Sequence, residues 1–448
     1  MFEKIRQAVD KHAQKILDAQ NYIWANPETG YREFKTSAYM EKAFREMGYD
    51  LVLAGDIPGF YTVVDTGRPG PEVLILGELD ALICPEHPDA DPVTGAVHCC
   101  GHSAQCAALL GIAAALKEPG ILDDLSGRIR LCAVPAEELL EIGFRARLKE
   151  EGSIRYLGGK TEFLHRGYFD GVDLSFMIHS TSEKSLYIPR GCIGLIAKSV
   201  TYEGVSAHAG GSPWEGCNAL YAASLGLQAI NAIRETFRDV DTVRVHPIIT
   251  KGGGAVNAIP DQVCLESYVR GNTFDIIYDA NRKINRALCG AALSLGANVD
   301  IQDFPGYAPL YNCDAMRNVA REAAAVLPEV PVDMNEKVST GSTDMGDLSL
   351  LMPVVHPYMP GATGKSHGTD YYIPDPMLTC VGSAKWQVAM LTLLLENGAA
   401  RAKKIVGEHT PVFSSKEAYF AMLERFEKSG RRIRYENGQA TVVLDKEA

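Results

Sequence analysis

The chain has 448 residues, more than one hydrophobic core usually organises, so two domains are expected. A composition of 46% apolar and 22% charged residues is that of an ordinary globular protein, and no apolar run approaches the ~20 residues that cross a bilayer, so no membrane association is expected. A net charge of -12 without a basic tract disfavours nucleic acid as a partner.

The N-terminal stretch predicts a helix, because Phe2, Ile5 and Val9 recur at helical spacing among charged residues. It lacks the continuous apolar segment of a secretion signal. Eleven cysteines are scattered between Cys84 and Cys380, and an odd number in a chain of this size fits a reducing compartment better than a disulfide framework. We therefore expect a cytoplasmic protein.

Three short apolar runs follow, each ending in polar residues, with helical stretches between them. The runs cover residues 72–82, 128–138 and 172–180. Runs of this length are typical of buried parallel strands. In open α/β sheets the ligand crevice lies beyond the carboxyl ends of the strands. Four polar side chains are expected to meet there: Asp80, Glu137, Glu138 and His179.

From about residue 190 the pattern changes to a second type of unit. Strand-like alternation at 195–204 is followed by a helix at 218–237, two strands, a helix at 274–296 and a final strand. This β-α-β-β-α-β order is typical of a ferredoxin-like unit. The predicted fold is therefore α/β. A mainly parallel-sheet domain comprises residues 1–189 and 308–448, and an α+β domain is inserted at 190–307.

The remaining segments resume the first pattern. A helical stretch, a polar loop at 335–347 and an apolar run at 353–361 lead to a long helix predicted from about Val381 to Lys404. Beyond Gly407 the chain is charged, and Asn437-Gly438 favours a hairpin turn. No function is assigned to this tail.

The stretch HCCGH at 98–102 places Cys100 and His102 one residue apart on a glycine-containing turn. A thiolate and an imidazole so placed can share a divalent ion or bind two neighbouring ions, with carboxylate ligands from elsewhere. The spacing is not that of a zinc finger, and a thioredoxin-like motif requires two residues between its cysteines. We expect Cys99 to pack and Cys100 to face the site. A buried thiol and a redox site using Cys99 and Cys100 are the alternatives.

Other candidate residues have their own structural alternatives. Glu137 and Glu138 can divide the work of metal ligation and proton transfer, or can simply favour a helix N-terminus. If His179 is not a metal ligand, its place at a strand end is that of a hydrogen-bonded core histidine. If His367 is not a ligand, its place in a Gly-rich loop is that of a solvent-exposed residue. Their joint placement favours one common site.

Six motifs occur in the order found in the aminoacylase and carboxypeptidase G type metallo-amidohydrolases. They are GELDAL (77–82), HCCGH (98–102), PAEE (135–138), SAHAGGSPWEGCNAL (206–220), NAIPD (257–261) and GSTDMGD (341–347). Over about residues 20–400 the chain most resembles the branch of aminobenzoyl-glutamate hydrolases, N-acyl-amino-acid amidohydrolases and related dipeptidases. The resemblance implies a catalytic domain with a two-metal centre, interrupted by a smaller dimerisation or lid domain.

The resemblance also implies roles for residues that match the motifs. The implied ligands of two divalent metal ions per subunit are Cys100, His102, Glu138, His179 and His367. Glu137 would be the general base, and His208 would approach the reacting carbonyl, generally from the partner subunit of a homodimer. Asn257 and Arg270 would hold the reacting end and the carboxylate of the substrate. A Cys/His-containing site favours zinc, whereas the resemblance leaves manganese, cobalt or nickel open.

Two departures from the family pattern affect this transfer. Ser103 stands where the family usually has Asp or Asn, and the interval between Glu138 and His179 is longer than usual. The extra residues in 139–178 either line the pocket or form surface. His165, within them, is a rival to His179 but lies in an amphipathic stretch rather than at a strand end.

The leading functional hypothesis is a metal-dependent amidohydrolase of N-acyl or N-aroyl amino acids. A water activated by the metals would attack the amide of a small substrate that carries a carboxylate. A dipeptidase of the same family differs only in tolerating a free α-amine. A catalytically silent metal-binding or small-molecule-binding protein is the alternative from another class; loss of Glu137 or of a ligand would favour it, and neither is lost.

Overall fold

The computed structural model describes residues 1–444. Its α-helices are α1 Phe2–Asp10, α2 Ala13–Trp24, α3 Phe34–Glu46, α4 His102–Leu116, α5 Ile142–Glu150, α6 Gly159–His165, α7 Ala219–Ile233, α8 Phe274–Ser294, α9 Asp314–Ala323, α10 Met345–Ser349, α11 Ser383–Glu408 and α12 Lys416–Leu423. Its strands are β1 Val52–Leu53, β2 Phe60–Asp65, β3 Glu72–Glu78, β4 Leu82–Ile83, β5 Ala96–Val97, β6 Arg128–Val134, β7 Leu174–Phe176, β8 His179–Ser180, β9 Leu186–Ile188, β10 Gly191–Cys192, β11 Gly194–Glu203, β12 Arg244–Val245, β13 Ile248–Lys251, β14 Gln262–Gly271, β15 Asn298–Tyr307, β16 Leu310–Tyr311, β17 Val332–Met334, β18 Val338–Ser339, β19 Val354–Val355, β20 Tyr358–Met359, β21 Ile433–Glu436 and β22 Gln439–Val442.

The first large sheet has the strand order β1-β2-β6-β3-β7-β19. Strands β6, β3, β7 and β19 are parallel to one another, whereas β1 and β2 join antiparallel at one side. Strand β3 is buried along its whole length, as expected for a parallel strand covered on both faces. The mainly parallel α/β class predicted from the apolar runs is confirmed.

Helix α4 positions the HCCGH turn. All its residues are buried, since its small apolar side chains pack against β3, α2 and α11. The residue before the helix, Gly101, has a φ of 95°, a left-handed conformation that glycine adopts without strain. A Cβ at Gly101 would also collide with the Ser180 hydroxyl. The turn can therefore bring Cys100 and His102 close to the strand that contains Ser180.

A second, antiparallel sheet is built from residues 194–307. Its strand order is β12-β14-β11-β15, and β13 also pairs with β14. Helices α7 and α8 contact each other and both pack against this sheet. Alternate residues of β14 are buried, which gives the sheet one face under the helices and one face turned away from them. The elements follow the predicted order of strands and helices except that the first of the two middle strands, expected at 242–250, is divided into β12 and β13. The boundaries at 190 and 307 and the role of lid or dimerisation unit remain predictions.

The C-terminal segment contacts both units. Tyr419 and Leu423 belong to the core beneath the first sheet, whereas Phe426 and Ile433 belong to the core of the second sheet. The predicted Asn437-Gly438 turn joins β21 to β22, and both its residues have positive φ. The chain also passes between the same two cores within β15, at 301–304, whereas β11 contributes to both cores, with Leu195 and Ala197 in one and Ile196 and Val200 in the other.

The longest helical stretch is Met377–Glu408. It is long and apolar enough to cross a membrane, but 78% of its most apolar window is buried inside the fold. It begins with π-helical turns over Met377–Gly382, and non-helical backbone at residues 396–399 divides α11. This stretch therefore packs as a core helix of the first unit.

Candidate active site and metal centre

The five side chains predicted as metal ligands come together in two groups. Cys100 lies with His102 and His179 in one group, and with Glu138 and His367 in the other. Within each group the ligand atoms lie within 4.8 Å of one another. Because Cys100 belongs to both groups, these residues could hold two neighbouring cations.

The Cys100 side chain is poised as a thiolate. Its Sγ lies 3.4 Å from His179 Nε2, and His179 Nδ1 is 2.8 Å from the Ser180 carbonyl, to which it can donate a proton. Burial acts to raise the pKa of Cys100, but the nearby histidines, His102 foremost, lower it to about 5. The thiolate is the form that binds metals.

His102 is oriented by Asp80. His102 Nδ1 lies 3.0 Å from the Asp80 carbonyl and 3.2 Å from Asp80 Oδ1, so Nδ1 carries the donated proton and Nε2 is left to ligate. The other carboxylate oxygen of Asp80 accepts the backbone N–H of Glu138 at 2.7 Å. A carboxylate behind a ligating histidine fixes its ring and raises its basicity.

Glu138 and His367 form the second contact pair. His367 Nε2 lies 3.1 Å from Glu138 Oε1, and the backbone N–H of His367 donates to the Cys99 carbonyl at 2.9 Å. His367 has a φ of 65°, a left-handed conformation that is strained for this residue. Burial acts to raise the pKa of Glu138, but His367 outweighs it and holds the pKa well below its usual range.

The donor set fits divalent cations. Within residues 1–444, the buried atoms His102 Nε2, Glu138 Oε1 and Glu78 Oε2 form no well-aligned hydrogen bond, although His102 Nε2 lies 3.2 Å from Glu78 Oε2 and Glu138 Oε1 lies 3.1 Å from His367 Nε2. Buried polar atoms usually form hydrogen bonds, and His102 and Glu138 are two of the predicted ligands. One thiolate, three imidazoles and one carboxylate form a set that suits zinc and other first-row divalent metals.

Glu137 lies beside the first group, with Oε2 3.7 Å from His102 Nε2. Burial raises its pKa well above the ordinary value, and the carboxylates of Glu78 and Glu138 add to this effect. A carboxylate with a raised pKa is suited to taking a proton from water and giving it back during a reaction. The position is compatible with a general base, and that role remains a prediction.

The backbone of this loop is held from several directions. Ala136 has a φ of 58°, and its N–H donates to Glu33 at 2.8 Å. The Tyr307 hydroxyl donates to the Glu137 carbonyl, and the buried Arg145 guanidinium donates to the Glu138 carbonyl. These contacts fix the direction in which both glutamate side chains leave the chain.

A buried charge cluster beneath the site was not predicted. Lys160 Nζ contacts the carboxylates of Glu78 and Asp344, and all three side chains are inaccessible to solvent. Glu78 Oε2 in turn lies 3.2 Å from His102 Nε2. Glu78 and Asp344 belong to the motifs GELDAL and GSTDMGD, which could have indicated a role at the site, whereas Lys160 comes from the 139–178 segment. With Arg145 it shows that this segment supports the site rather than only forming surface.

The predicted substrate-contacting residues are placed differently from the ligands. His208 and Asn257 are exposed and adjacent on the second unit, and His208 Nδ1 accepts the N–H groups of Gly210 and Gly211. In the described part of the chain no hydrogen bond or ion pair links either to the five ligands. Arg270 does reach the first unit, where Nη1 donates to Ser342 Oγ at 3.0 Å.

His165, the rival to His179, lies away from the ligands. It is exposed at the end of α6, where its ring packs against Tyr156 and Phe420. The structure thus places His179, and not His165, beside Cys100.

A mainly parallel α/β sheet that gathers two cation-binding groups and a buried glutamate beyond its strand ends is the arrangement of a metal-dependent hydrolase. Residues 74–386 match the model of Peptidase family M20/M25/M40, and the chain belongs to this family. The resemblance to metallo-amidohydrolases is therefore confirmed, and the protein is a hydrolase acting on amide or peptide bonds.

Individual relatives cover most of the chain. Xaa-Arg dipeptidase of Mus musculus is 28% identical over 381 residues, which are 82% of this chain and 81% of the relative. Indole-3-acetyl-aspartic acid hydrolase of Enterobacter agglomerans is 26% identical over 421 residues, 82% of this chain and 90% of the relative. The structure of a dinuclear metal binding peptidase of the M20 family from Bacillus subtilis shares the fold, with a TM-score of 0.60 and 20% identity over 86% of this chain and 99% of that one.

Proposed function

We propose that the protein hydrolyses the amide bond of N-acyl or N-aroyl amino acids. The observation that carries the proposal is the buried Glu137 beside two ligand groups that share Cys100. The similarity to an indole-3-acetyl-aspartic acid hydrolase supports a substrate made of an acyl group and an amino acid.

We infer two divalent cations per subunit, zinc or manganese, with cobalt or nickel as alternatives. The five side chains that would hold them are Cys100, His102, Glu138, His179 and His367. When bound, the metals would lower the pKa of water and polarise the amide carbonyl. Elemental analysis of protein purified without added metal tests both the number and the identity of the ions.

The protein's own groups would then carry the proton and bind the substrate. Glu137 takes the proton of the attacking water and delivers it to the leaving amine. His208 donates a hydrogen bond to the developing oxyanion, and Asn257 holds the reacting end of the substrate. Arg270 binds the carboxylate, for which a planar guanidinium offers two parallel donors.

The surroundings of Arg270 support this role. It is half-buried, its Nε donates to His246 and its Nη1 donates to Ser342, so both hydrogen-bond partners are neutral groups. Within residues 1–444 it forms no ion pair. A guanidinium withdrawn from water gains most from a charged partner, and a substrate carboxylate would supply one.

We infer a homodimer formed through the second unit. Its surface exposes large apolar side chains on α7, at the sheet edge and near His208; they are Val205, Trp214, Tyr221, Leu225, Ile248, Ile249 and Val256. Among the strands of residues 1–444, β13 pairs with β14 alone and leaves an open edge. Apolar patches and open edges of this kind are covered in stable assemblies. A two-fold pairing would bring His208 of each subunit to the site of its partner.

A dipeptidase is the second candidate, favoured by the similarity to Xaa-Arg dipeptidase. It differs only in accepting a free α-amine next to the scissile bond. For either activity we place the enzyme in the cytoplasm, because its eleven cysteines are free thiols, as is typical of a reducing compartment.

The deciding experiment measures amine release from a substrate panel. N-acetyl amino acids, aminobenzoyl-glutamate and dipeptides are incubated with the enzyme loaded with each candidate metal, and Glu137→Gln protein serves as the inactive control. Release by the parent and not by the control supports an amidohydrolase. Preference for dipeptides selects the second candidate, and no release from any compound with any metal contradicts both.

A further inference from the structure

Two arginines face each other on the second sheet. Arg244 in β12 and Arg270 in β14 are direct partners in the antiparallel register. Side chains of such partners leave the same face, with Cβ atoms about 5 Å apart. His246 lies on this face as well, since its Nε2 accepts the Nε–H of Arg270 at 3.1 Å. The three side chains therefore lie together on one face of the sheet, and we call Arg244 and Arg270 the arginine pair.

This face of the sheet looks toward the first unit. Arg270 donates to Ser342 at 3.0 Å, and the hydroxyl of Tyr268, two residues before Arg270, donates to the Leu139 carbonyl. Leu139 directly follows Glu138 in the chain. The opposite face of the sheet is buried against α7 and α8. A substrate bound at the metal ligands would thus meet the arginine pair.

Positive charge is concentrated here although the chain has a net charge of -12. Arg244 and His246 line a cavity of about 760 Å³ together with Arg234, and among its described lining residues Asp239 is the one acid. Neither Arg244 nor Arg234 forms an ion pair within residues 1–444. Like charges directly opposite on a sheet are destabilising, and an anion between them removes that penalty.

We propose that the arginine pair binds two carboxylates of one substrate, so that the amino acid released is acidic, aspartate or glutamate. Arg270 binds the α-carboxylate and Arg244 binds the side-chain carboxylate. A substrate with a basic side chain would meet two like charges and is rejected. This inference rests on the proposed function and narrows its substrate class.

The test compares kcat/KM for N-acetyl-glutamate, N-acetyl-alanine and N-acetyl-arginine. The parent should prefer the glutamate compound, and Arg244→Ala should lower its kcat/KM by about tenfold or more while changing the alanine compound by less than about twofold, the effect expected for one charge-assisted pair. Arg238→Ala is the matched control, because Arg238 lines the same cavity but is already paired with Asp241 at 2.6 Å. It should keep the parental preference.

A binding measurement separates this inference from the proposed function. Calorimetry should show that the parent binds the dicarboxylate glutarate more tightly than the monocarboxylate butyrate. Arg244→Ala protein should bind the two compounds with equal affinity. Equal losses on the glutamate and alanine compounds, or a parental preference for N-acetyl-arginine, would overturn the inference and leave the amide hydrolase in place. If no amide is cleaved the proposed function fails, and the glutarate result still decides the inference.

Discussion

Asp80 contacts His102 with one carboxylate oxygen, at 3.2 Å, and the backbone of Glu138 with the other, at 2.7 Å. His102 belongs to one candidate cation-binding group and Glu138 to the other. A single buried carboxylate therefore orients a ligand in each group. The relationship joins the end of β3 to the loop after β6, which are neighbouring parallel strands.

Replacing Asp80 should weaken both groups at once. Asp80→Asn cannot accept hydrogen bonds at both former oxygen positions, so we expect metal affinity to fall by about 10- to 100-fold, as for other outer ligands of metal sites. Competition with a chelator measures the change. Asp18→Asn, on the exposed side of α2, is the control and should bind metal like the parent. Unchanged affinity in Asp80→Asn would contradict the orienting role.

The two adjacent cysteines should respond differently to substitution. Cys99 packs in a small apolar cluster that also contains Cys84, whereas Cys100 Sγ faces His179. Cys100→Ala should lose bound metal and activity, and Cys99→Ala should keep most of both. In the parent, a chelator should expose one additional thiol to titration. Equal losses from both substitutions would mean that the assignment is wrong.

Substitutions of the two adjacent glutamates should also have different effects. Glu137→Gln should retain metal but lose about 10²- to 10⁴-fold in kcat, because an amide cannot accept the proton of water. Glu138→Gln should lose metal, since it removes the charge that faces His367. Metal content and kcat are measured on the same preparations. A Glu137→Gln protein nearly as active as the parent would rule out the general base.

Lys160 should matter for stability as well as for the site. Lys160→Met leaves Glu78 and Asp344 buried without a counter-charge, and breaking a buried pair in this way costs about 3–5 kcal/mol. Urea unfolding measures the loss. Adding Glu78→Gln and Asp344→Asn to Lys160→Met should restore part of it. If the Lys160→Met protein is as stable as the parent, the three side chains do not carry the charges assigned to them here.

His208 should act across the subunit boundary. Glu137→Gln and His208→Ala subunits, each inactive alone, are mixed and allowed to exchange. In a two-fold dimer with shared sites, one site of each mixed dimer has both residues intact, so up to about half the parental activity per dimer should return. Mixed dimers that stay inactive, or an active monomer, would show that His208 serves its own chain.

The polar residues that follow buried strands were the part of the site that could be predicted from the sequence. Buried runs such as 72–82 indicate parallel strands, and the carboxyl ends of parallel strands lie at the same edge of a sheet, so the polar residues after them are expected to lie close together. The run at 172–180 is in fact divided into β7 and β8, which pair in different sheets. A continuous apolar run does not show where a strand changes its partners, so this break was not predictable.

The buried charged residues that support the site could not be predicted from the sequence. Lys160 looks like a surface residue in the sequence, because lysine is seldom buried without a partner. Its partners, Glu78 and Asp344, lie 82 and 184 positions away along the chain. Only the folded arrangement brings these three together. The same holds for Arg145, which donates to the carbonyls of Glu138 and Leu157.

The short passages of the chain between the cores that contain Tyr419 and Phe426 restrict how the two units can move. Besides β11, which contacts both cores along its length, the chain passes from one core to the other at 301–304 and 423–426. Each of these two passages spans three peptide steps, which reach no more than about 11 Å. The units therefore stay close together at these points. We expect the substrate cleft to open and close by a rotation about the line that joins the two passages, so the residues farthest from that line travel the greatest distance.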